Sequence, residues 1–296
     1  MKAIFVLTMG ISILLVTNTA ECSDACRYDK KELMWLVETS QNEKIMEIVE
    51  DGCDLKRVID GDDLDLLNVA VYTDNIQVVK LLLNQGVSVN RVNNFGNLSI
   101  SWCISLEMAE YLVSKGININ FVDKDGWTPL HDYSGRRSRL DIAKFIISRG
   151  AHINARDNIG FTPLMIALKS SPISYIQFLV KNGANVNIRT HDKTTALHLA
   201  VLRGDVDIVK TLIDADADVN AQNNGKMTPL HQAAIDGRYE IVKLLVESGA
   251  DVNIRNIRGK TPLWAAENMR PYPTRVKPEE MNRKEVIEYL KQAGGI

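Results

Sequence analysis

Three histidines are the first residues in the sequence whose chemistry invites a functional interpretation. His131, His198 and His231 are each the fourth residue of a Thr-Pro-Leu-His or Thr-Ala-Leu-His segment. An imidazole can ligate a metal or act as a general base near neutral pH. The shared flanking residues, however, assign all three to one position of a repeated unit. Equivalent positions of stacked units lie about 10 Å apart, whereas two ligands of one metal lie within about 4 Å. The three histidines therefore cannot share a metal ion.

The other potential catalytic groups are scattered along the chain. The pattern places neither His152 nor His191 beside a Ser or Cys nucleophile. Cys103 aligns with Ala233 on the inward side of a helix, which favours a small buried thiol. The four cysteines lack the closely spaced pairs of a zinc ribbon, and no glycine-rich loop for binding phosphate is present. We therefore expect no catalytic residue, no metal and no cofactor.

The composition is that of a folded protein without an excess of positive charge. Apolar residues make up 45% of the 296 residues and charged residues 24%. Lys and Arg number 35 against 37 Asp and Glu, so the formal net charge is −2. Because binding to nucleic acid depends on neutralising a phosphate backbone, we expect no nucleic-acid partner.

A repeat of about 33 residues runs through the chain. One feature is a helix-ending residue followed by a stretch such as Gly183-Ala184-Asn185-Val186-Asn187. The second feature follows eight residues later and reads Thr-Pro-Leu, often with His, as at Thr128, Thr162, Thr228 and Thr261. The helix-ending residues are Gly52, Gly86, Gly116, Gly150, Gly183, Asp216, Gly249 and Gly294.

The physical chemistry of one unit predicts a pair of helices. A Thr that caps free amides, followed by Pro in the first turn, begins a helix. The segment from Glu240 to Glu247 carries apolar residues at helical spacing, and Gly249 ends it because glycine accepts positive φ. Asp216 can take the same place since Asp tolerates the left-handed region better than most residues. One such pair cannot bury both faces alone, so the units must stack.

Together the two motifs resemble the ankyrin repeat over about residues 30 to 296. The resemblance implies an all-α repeat solenoid of stacked helix–loop–helix units with projecting β-hairpin loops. It also implies that the signature histidines make hydrogen bonds that fix the loop and the helix start. We expect a signal peptide at 1–25 and a repeat domain at 26–296. The eight units are 30–63, 64–96, 97–125, 126–159, 160–192, 193–226, 227–259 and 260–296, the last with an insertion near 268–283.

The N-terminal segment predicts export. Met1 and Lys2 precede an apolar run from Ala3 to Val16, which is too short to span a bilayer and has the length of a signal-peptide core. Small residues place the cleavage site between positions 20 and 25. The alternatives are an uncleaved membrane anchor and a buried helix. The expected location is secreted or periplasmic.

Candidate partner contacts come from positions where the repeat pattern leaves the residue type open. Trp127, Phe161 and Met227 occupy the position just before the signature Thr in their units, and Ile159 and Ile166 extend this patch. An aliphatic residue is common at the Ile166 position, where we expect it to be half-buried. Exposed aromatic clusters mark interaction sites, although packing between repeats is the alternative for the two rings.

The insertion in the last unit contains Pro271, Pro273 and Pro278, so it must be a loop. A tolerated insertion near a chain end and a partner contact through Tyr272 both remain open.

A disulfide between Cys26 and Cys53 is expected if the chain is exported. Cys26 precedes the first helix of the first unit, and Cys53 follows the end of its second helix. Antiparallel helices bring these two ends together. Cys22 is an alternative partner for Cys53, and unpaired thiols are the other outcome.

These features favour a non-catalytic scaffold for protein–protein interaction in an exported compartment, acting as a monomer on a protein partner that the sequence does not identify. The alternatives are a membrane-tethered adaptor, which requires an uncleaved N-terminal segment, and an enzyme with a dispersed site. Contact with a membrane is expected only in the tethered case.

Overall fold

The computed structural model describes residues 30–51, 53, 55, 66–93, 96–135, 139–269 and 282–296. Within these ranges the chain consists of helices and tight loops. The helices are α1 (Lys30–Glu38), α2 (Asn42–Glu50), α3 (Leu66–Tyr72), α4 (Ile76–Asn84), a 3-10 helix (Ser99–Trp102), α5 (Leu106–Ser114), α6 (Pro129–Gly135), α7 (Leu140–Ser148), α8 (Pro163–Ala167), α9 (Ile173–Lys181), α10 (Ala196–Arg203), α11 (Val206–Ile213), α12 (Pro229–Asp236), α13 (Tyr239–Glu247), α14 (Pro262–Asn268) and α15 (Arg283–Gln292).

The helices form two parallel stacks. Except in the third unit, the first helix of a described unit packs against the second. First helices also pack against the first helix of the next unit, as α10 does against α12 and α12 against α14. Second helices stack in the same way, as α11 does against α13 and α13 against α15. One continuous apolar core lies between the two stacks. The predicted all-α repeat solenoid is confirmed.

The predicted helix starts are also confirmed. Thr162 and Thr261 cap α8 and α14, because their hydroxyls accept the backbone N–H groups of Met165 at 3.4 Å and Trp264 at 3.3 Å. Second helices use other caps: the Asp205 carboxylate accepts two N–H groups at the start of α11. Each cap satisfies amides that the first turn of a helix leaves without an internal partner.

The loops between units are hairpin turns joined edge to edge. In the hairpins within the described ranges, the first residue donates its N–H to the carbonyl four residues later, as Asp157 does to Phe161 at 2.9 Å. In the described residues the hairpins contain no β-strand. Val92 and Leu98 form an isolated antiparallel β-bridge. Four backbone hydrogen bonds link neighbouring tips: Asn158 N to Asp125 O, His191 N to Ile159 O, Asn224 N to Asp192 O and Ile257 N to Gly225 O, at 2.8–3.1 Å.

A ladder of asparagine side chains ties each hairpin to the next unit. Asn187, for example, donates its Nδ2 to the Asp216 carbonyl and accepts the Asp218 N–H at its Oδ1, both at 2.8 Å. Both polar ends of the carboxamide are thus satisfied by the backbone of the following unit. The ladder consists of Asn90, Asn120, Asn154, Asn187, Asn220 and Asn253.

The third unit departs from the others. Its first helix is reduced to the four-residue 3-10 helix Ser99–Trp102. The interval from Gly86 to Gly116 is correspondingly 30 residues, three fewer than the usual 33. Tyr133 on α6, which is fully buried, stands where other units have Ala200 or Ala233. Its hydroxyl donates to the Ile100 carbonyl and lies 3.4 Å from the Cys103 carbonyl. The larger ring fills the space beside the shortened helix.

Candidate functional site

The candidate site lies where each hairpin turns into the first helix of its unit. The residue just before the capping Thr has both its backbone N–H and its backbone carbonyl hydrogen-bonded within the hairpin. For Trp127, the N–H donates to the Asp123 carboxylate at 2.7 Å and the carbonyl accepts the Asp123 N–H at 2.9 Å. Asp157 holds Phe161 by the same pair of bonds, at 2.7 and 2.9 Å. The side chains at this position therefore project from a rigid backbone.

The signature histidines hold this junction to the next unit. The Thr128 N–H donates to His131 Nδ1 at 3.1 Å, so this nitrogen carries no proton. His131 Nε2 then carries the proton and donates to the Phe161 carbonyl at 3.1 Å. His198 and His231 make the equivalent bonds to the Met227 and Lys260 carbonyls, both at 3.0 Å. The structural role that the resemblance implied for these histidines is confirmed.

Burial keeps these imidazoles neutral. Desolvation lowers the pKa of His131 below its ordinary value, and the hydrogen bond to the Phe161 carbonyl opposes this shift only in part. Desolvation lowers the pKa of His198 and of His231 in the same way. A buried neutral ring with both nitrogens engaged has no lone pair available for a metal or a substrate proton.

The two aromatic candidates are both half-buried. The Trp127 ring lies 6.0 Å from the His131 ring at an angle of 30°. Phe161 packs partly against the core, and the Lys169 ammonium lies 4.6 Å from its ring centroid. Each ring is thus partly covered by the protein and partly accessible, an arrangement that suits an anchor for a partner.

The other candidates differ in accessibility. Ile159 at a hairpin tip is 57% exposed, and Met227 is half-buried. Ile166 is only 3% exposed, so the expectation that it contacts a partner is wrong. Its Cγ2 fills the space beside Gly135, lying 2.7 Å from where a Cβ of that residue would stand. Tyr272 lies outside the described residues.

The disulfide candidates are only partly within the described residues. Cys53 is 2% exposed and is disulfide-bonded. Cys26 and the alternative partner Cys22 lie outside the described residues, so the Cys26–Cys53 pairing stays a prediction. Cys103 is a fully buried thiol, as its alignment with an inward helix position predicts.

A second group of aromatic side chains lies in the first three units, outside the candidates that the repeat pattern predicts. Trp35 on α1 is 51% exposed and Tyr72 on α3 is 54% exposed. The Tyr72 ring meets the Trp102 ring edge to face, with centroids 6.4 Å apart. The first three units lack the Thr-Pro-Leu-His signature, and the candidate contacts come from the position just before that signature. These rings therefore lie outside the candidates, although the helix-ending glycines give a register for the first three units as well.

Two further observations concern other kinds of site. In the part of the chain that the structure describes, no three His, Cys, Asp or Glu side chains are arranged to hold a metal ion. Among the same residues, no helix has both the length and the apolar character needed to cross a bilayer.

Comparison with known proteins identifies the repeat. A family model described as ankyrin repeats (3 copies) matches residues 13–123, 102–190 and 185–256. The chain is 36% identical over 128 residues to the ankyrin repeat protein FPV031 of Fowlpox virus (strain NVSL), a match that covers 41% of this chain. The chain spans 37% of the length of that curated relative. With the family model covering most of its length, the chain belongs to the ankyrin repeat family.

Proposed function

We propose that this chain is a non-catalytic scaffold that binds another protein in an exported compartment, either secreted or periplasmic. Ankyrin repeats generally mediate protein–protein interaction. The observation that carries the proposal for this chain is the row of partly exposed apolar side chains at the junctions of hairpins and helices. Trp127, Phe161 and Met227 belong to this row, with Ile159 at the adjoining tip.

The rigidity of this row supports a binding role. The backbone of each residue is fixed within its own hairpin, and the signature histidines fix the Phe161 and Met227 carbonyls to the preceding unit. A surface that is already ordered loses little conformational entropy on association. Aromatic side chains that a partner buries on binding commonly dominate the affinity of an interface.

The variant Trp127→Ala/Phe161→Ala tests the proposed contact. We expect its affinity for a partner, recovered by cross-linking from the exported fraction, to fall by about 2 kcal/mol or more. Thr194→Ala is the matched control, since Thr194 occupies the same position without an aromatic ring. A large loss of thermal stability with unchanged affinity would instead assign both rings to packing between repeats.

Export is supported by the apolar run from Ala3 to Val16 and by the disulfide at Cys53, since disulfides persist in oxidising compartments. The predicted signal peptide lies outside the described residues. We expect the mature chain to begin between Glu21 and Cys26, as intact mass and N-terminal sequencing would show. Leu14→Asp/Leu15→Asp should retain the full-length chain inside the cell. An exported, soluble protein that still carries Met1 contradicts cleavage. A chain that carries Met1 and stays in the membrane fraction favours the membrane-tethered adaptor.

The pairing of Cys53 can be assigned by peptide mapping without reduction. We expect Cys26→Ser to release the Cys53 thiol and to lower stability by roughly 3 to 4 kcal/mol in the chain-entropy model. Cys22→Ser is the matched control and should leave the disulfide intact. Release of the Cys53 thiol by Cys22→Ser alone would assign the bond to the other cysteine.

A further inference from the structure

Two hairpins place a lysine where the others place glycine. Lys193 and Lys226 have φ values of 62° and 52°, in the left-handed region. The residues in the same position of the other described hairpins are Gly96, Gly126, Gly160 and Gly259, all with positive φ. A side chain with a Cβ is disfavoured in this region, and lysine is not among the residue types that tolerate it best. Both hairpins therefore hold a strained residue.

The fold gains no visible contact from these two side chains. Both lysines are exposed. Among the residues that the structure describes, neither ammonium group forms an ion pair, a hydrogen bond or a contact with an aromatic ring. Backbone strain without a compensating contact is typical of residues kept for binding.

The surrounding hairpins are strongly basic. The segments 187–194, 220–227 and 253–260 contain six basic residues and one carboxylate, in a chain whose net charge is −2. The carboxylate, on Asp192, is engaged within its own turn, where it accepts the Thr194 N–H at 3.2 Å. Arg258, at the tip of the last hairpin, is exposed. We call Lys193, Lys226 and Arg258 the basic hairpin stripe.

The stripe has a fixed spacing. Backbone hydrogen bonds from Asn224 N to Asp192 O at 2.8 Å and from Ile257 N to Gly225 O at 2.9 Å join the three hairpins. Successive units of the stack lie about 10 Å apart. An extended peptide rises about 3.3 Å per residue, so every third residue recurs at about the same distance. The stripe therefore matches an extended chain with a carboxylate at every third position.

We propose that the basic hairpin stripe binds an extended acidic segment of a partner protein. This inference rests on the proposed scaffold function and names the chemistry of the partner. A protein segment fits better than nucleic acid, because the exposed Asp251 carboxylate stands at the base of the last of these hairpins. The Asp218 carboxylate is paired with Arg189 at 3.4 Å. Discrete carboxylates can avoid Asp251, whereas a continuous phosphate backbone would meet it.

The test uses the full mature chain and a fluorescent peptide of repeated Glu-Gly-Ser triplets, with binding measured by anisotropy at low and physiological salt. Lys193→Gln/Lys226→Gln should weaken binding by about tenfold or more. Lys181→Gln/Lys284→Gln is the matched control, since it removes the same charge from exposed positions on second helices, and it should change binding by less than about twofold. The peptide with Gln in place of Glu should not bind.

Three outcomes would overturn the inference. They are equal weakening by both pairs of substitutions, tighter binding of duplex DNA, and tighter binding of phosphatidylserine vesicles. Binding of the acidic peptide that is independent of the stripe, together with loss of cross-linking to a partner in Trp127→Ala/Phe161→Ala, is a further informative pair of results. This pair would refute the inference and leave the proposed scaffold function standing.

Stability provides an independent measurement. Lys193→Gly/Lys226→Gly removes the charge and the strain together, so the melting temperature should rise by a few degrees while peptide binding is lost. A lower melting temperature would show that the lysines support the fold, which contradicts the argument from strain.

Discussion

Asp216 shows how a single residue adapts to its place in the repeat. It follows α11 with φ of 61°, where the equivalent residues in other units are Gly86, Gly116, Gly150, Gly183, Gly249 and Gly294. Its side chain is exposed, and its carbonyl accepts the Asn187 carboxamide. The contact to the preceding unit therefore uses the Asp216 backbone and does not require its carboxylate.

Asp216→Gly should stabilise the protein. Relief of the left-handed penalty should raise the free energy of unfolding by about 1 kcal/mol, measured by urea denaturation. Asp214→Gly is the control, because Asp214 has φ of −62°. There glycine should lower stability by roughly 0.5–1 kcal/mol through its entropy, together with loss of the exposed ion pair to Lys210. Changes of the same sign at both positions would contradict this explanation.

The sequence predicted positions in the repeat better than it predicted exposure. Trp127 and Phe161 were identified from their position before the capping Thr, and both are partly accessible. Ile166 was wrongly included because its burial depends on Gly135, which lies 31 positions away and leaves room for the Ile166 methyl group. Lys193 and Lys226 were missed, since the backbone conformation that sets them apart is visible only in three dimensions.

At the scale of helices, the repeat frame predicted where pairs begin and end because capping and helix-ending residues recur in sequence. It also indicated that the third unit is short. It did not indicate that Tyr133 of the next unit would fill the resulting space. The Tyr133 ring and the shortened helix belong to different units. The repeat pattern within one unit therefore does not predict their contact.

The Arg238 side chain connects the C-terminal ends of α10 and α12 and crosses over Gly204. Arg238 is 6% exposed, its Nη2 donates to the Leu202 carbonyl at 3.4 Å, and its Nε lies 3.9 Å from the Asp236 carboxylate. Its Nη1 lies 0.9 Å from the point where a Cβ on Gly204 would stand. The absence of a side chain at Gly204 is what admits the guanidinium.

Gly204→Ala should destabilise the protein more than Gly183→Ala. Both glycines have positive φ, at 86° and 92°, but at Gly183 no atom lies within 4 Å of the point where a Cβ would stand. The control should cost about 1–2 kcal/mol for backbone strain alone. Gly204→Ala should cost at least about 2 kcal/mol more, because Arg238 must leave a buried carboxylate. Equal midpoints in urea for the two variants would show that Arg238 moves without cost.

Over the whole molecule, three buried histidines link the stack to pH. His131, His198 and His231 each join two units, and burial lowers the pKa of all three. The unfolded chain, with histidine pKa near 6.5, therefore binds protons more readily than the folded chain. The free energy of unfolding must fall as the pH drops below about 6.5, and above that pH the contribution of these histidines is complete.

We therefore expect the urea midpoint to decrease from pH 7.5 to pH 5.5. His231→Gln should reduce the slope of this dependence, because it removes one of the three groups whose pKa burial lowers. A midpoint that does not vary over this pH range would show that the histidines are not protonated on unfolding.

The asparagine ladder has a consequence for how such a chain can change in length. Every carboxamide of the ladder reaches a carbonyl 26 to 41 positions ahead, always in the next unit. Gain or loss of a whole unit gives each of these side chains an equivalent partner, whereas a short insertion between an asparagine and its carbonyl must be looped out of the stack. Duplication in whole units is thus the change that the hydrogen bonding tolerates, and the number of units can vary while the chemistry at each boundary stays the same.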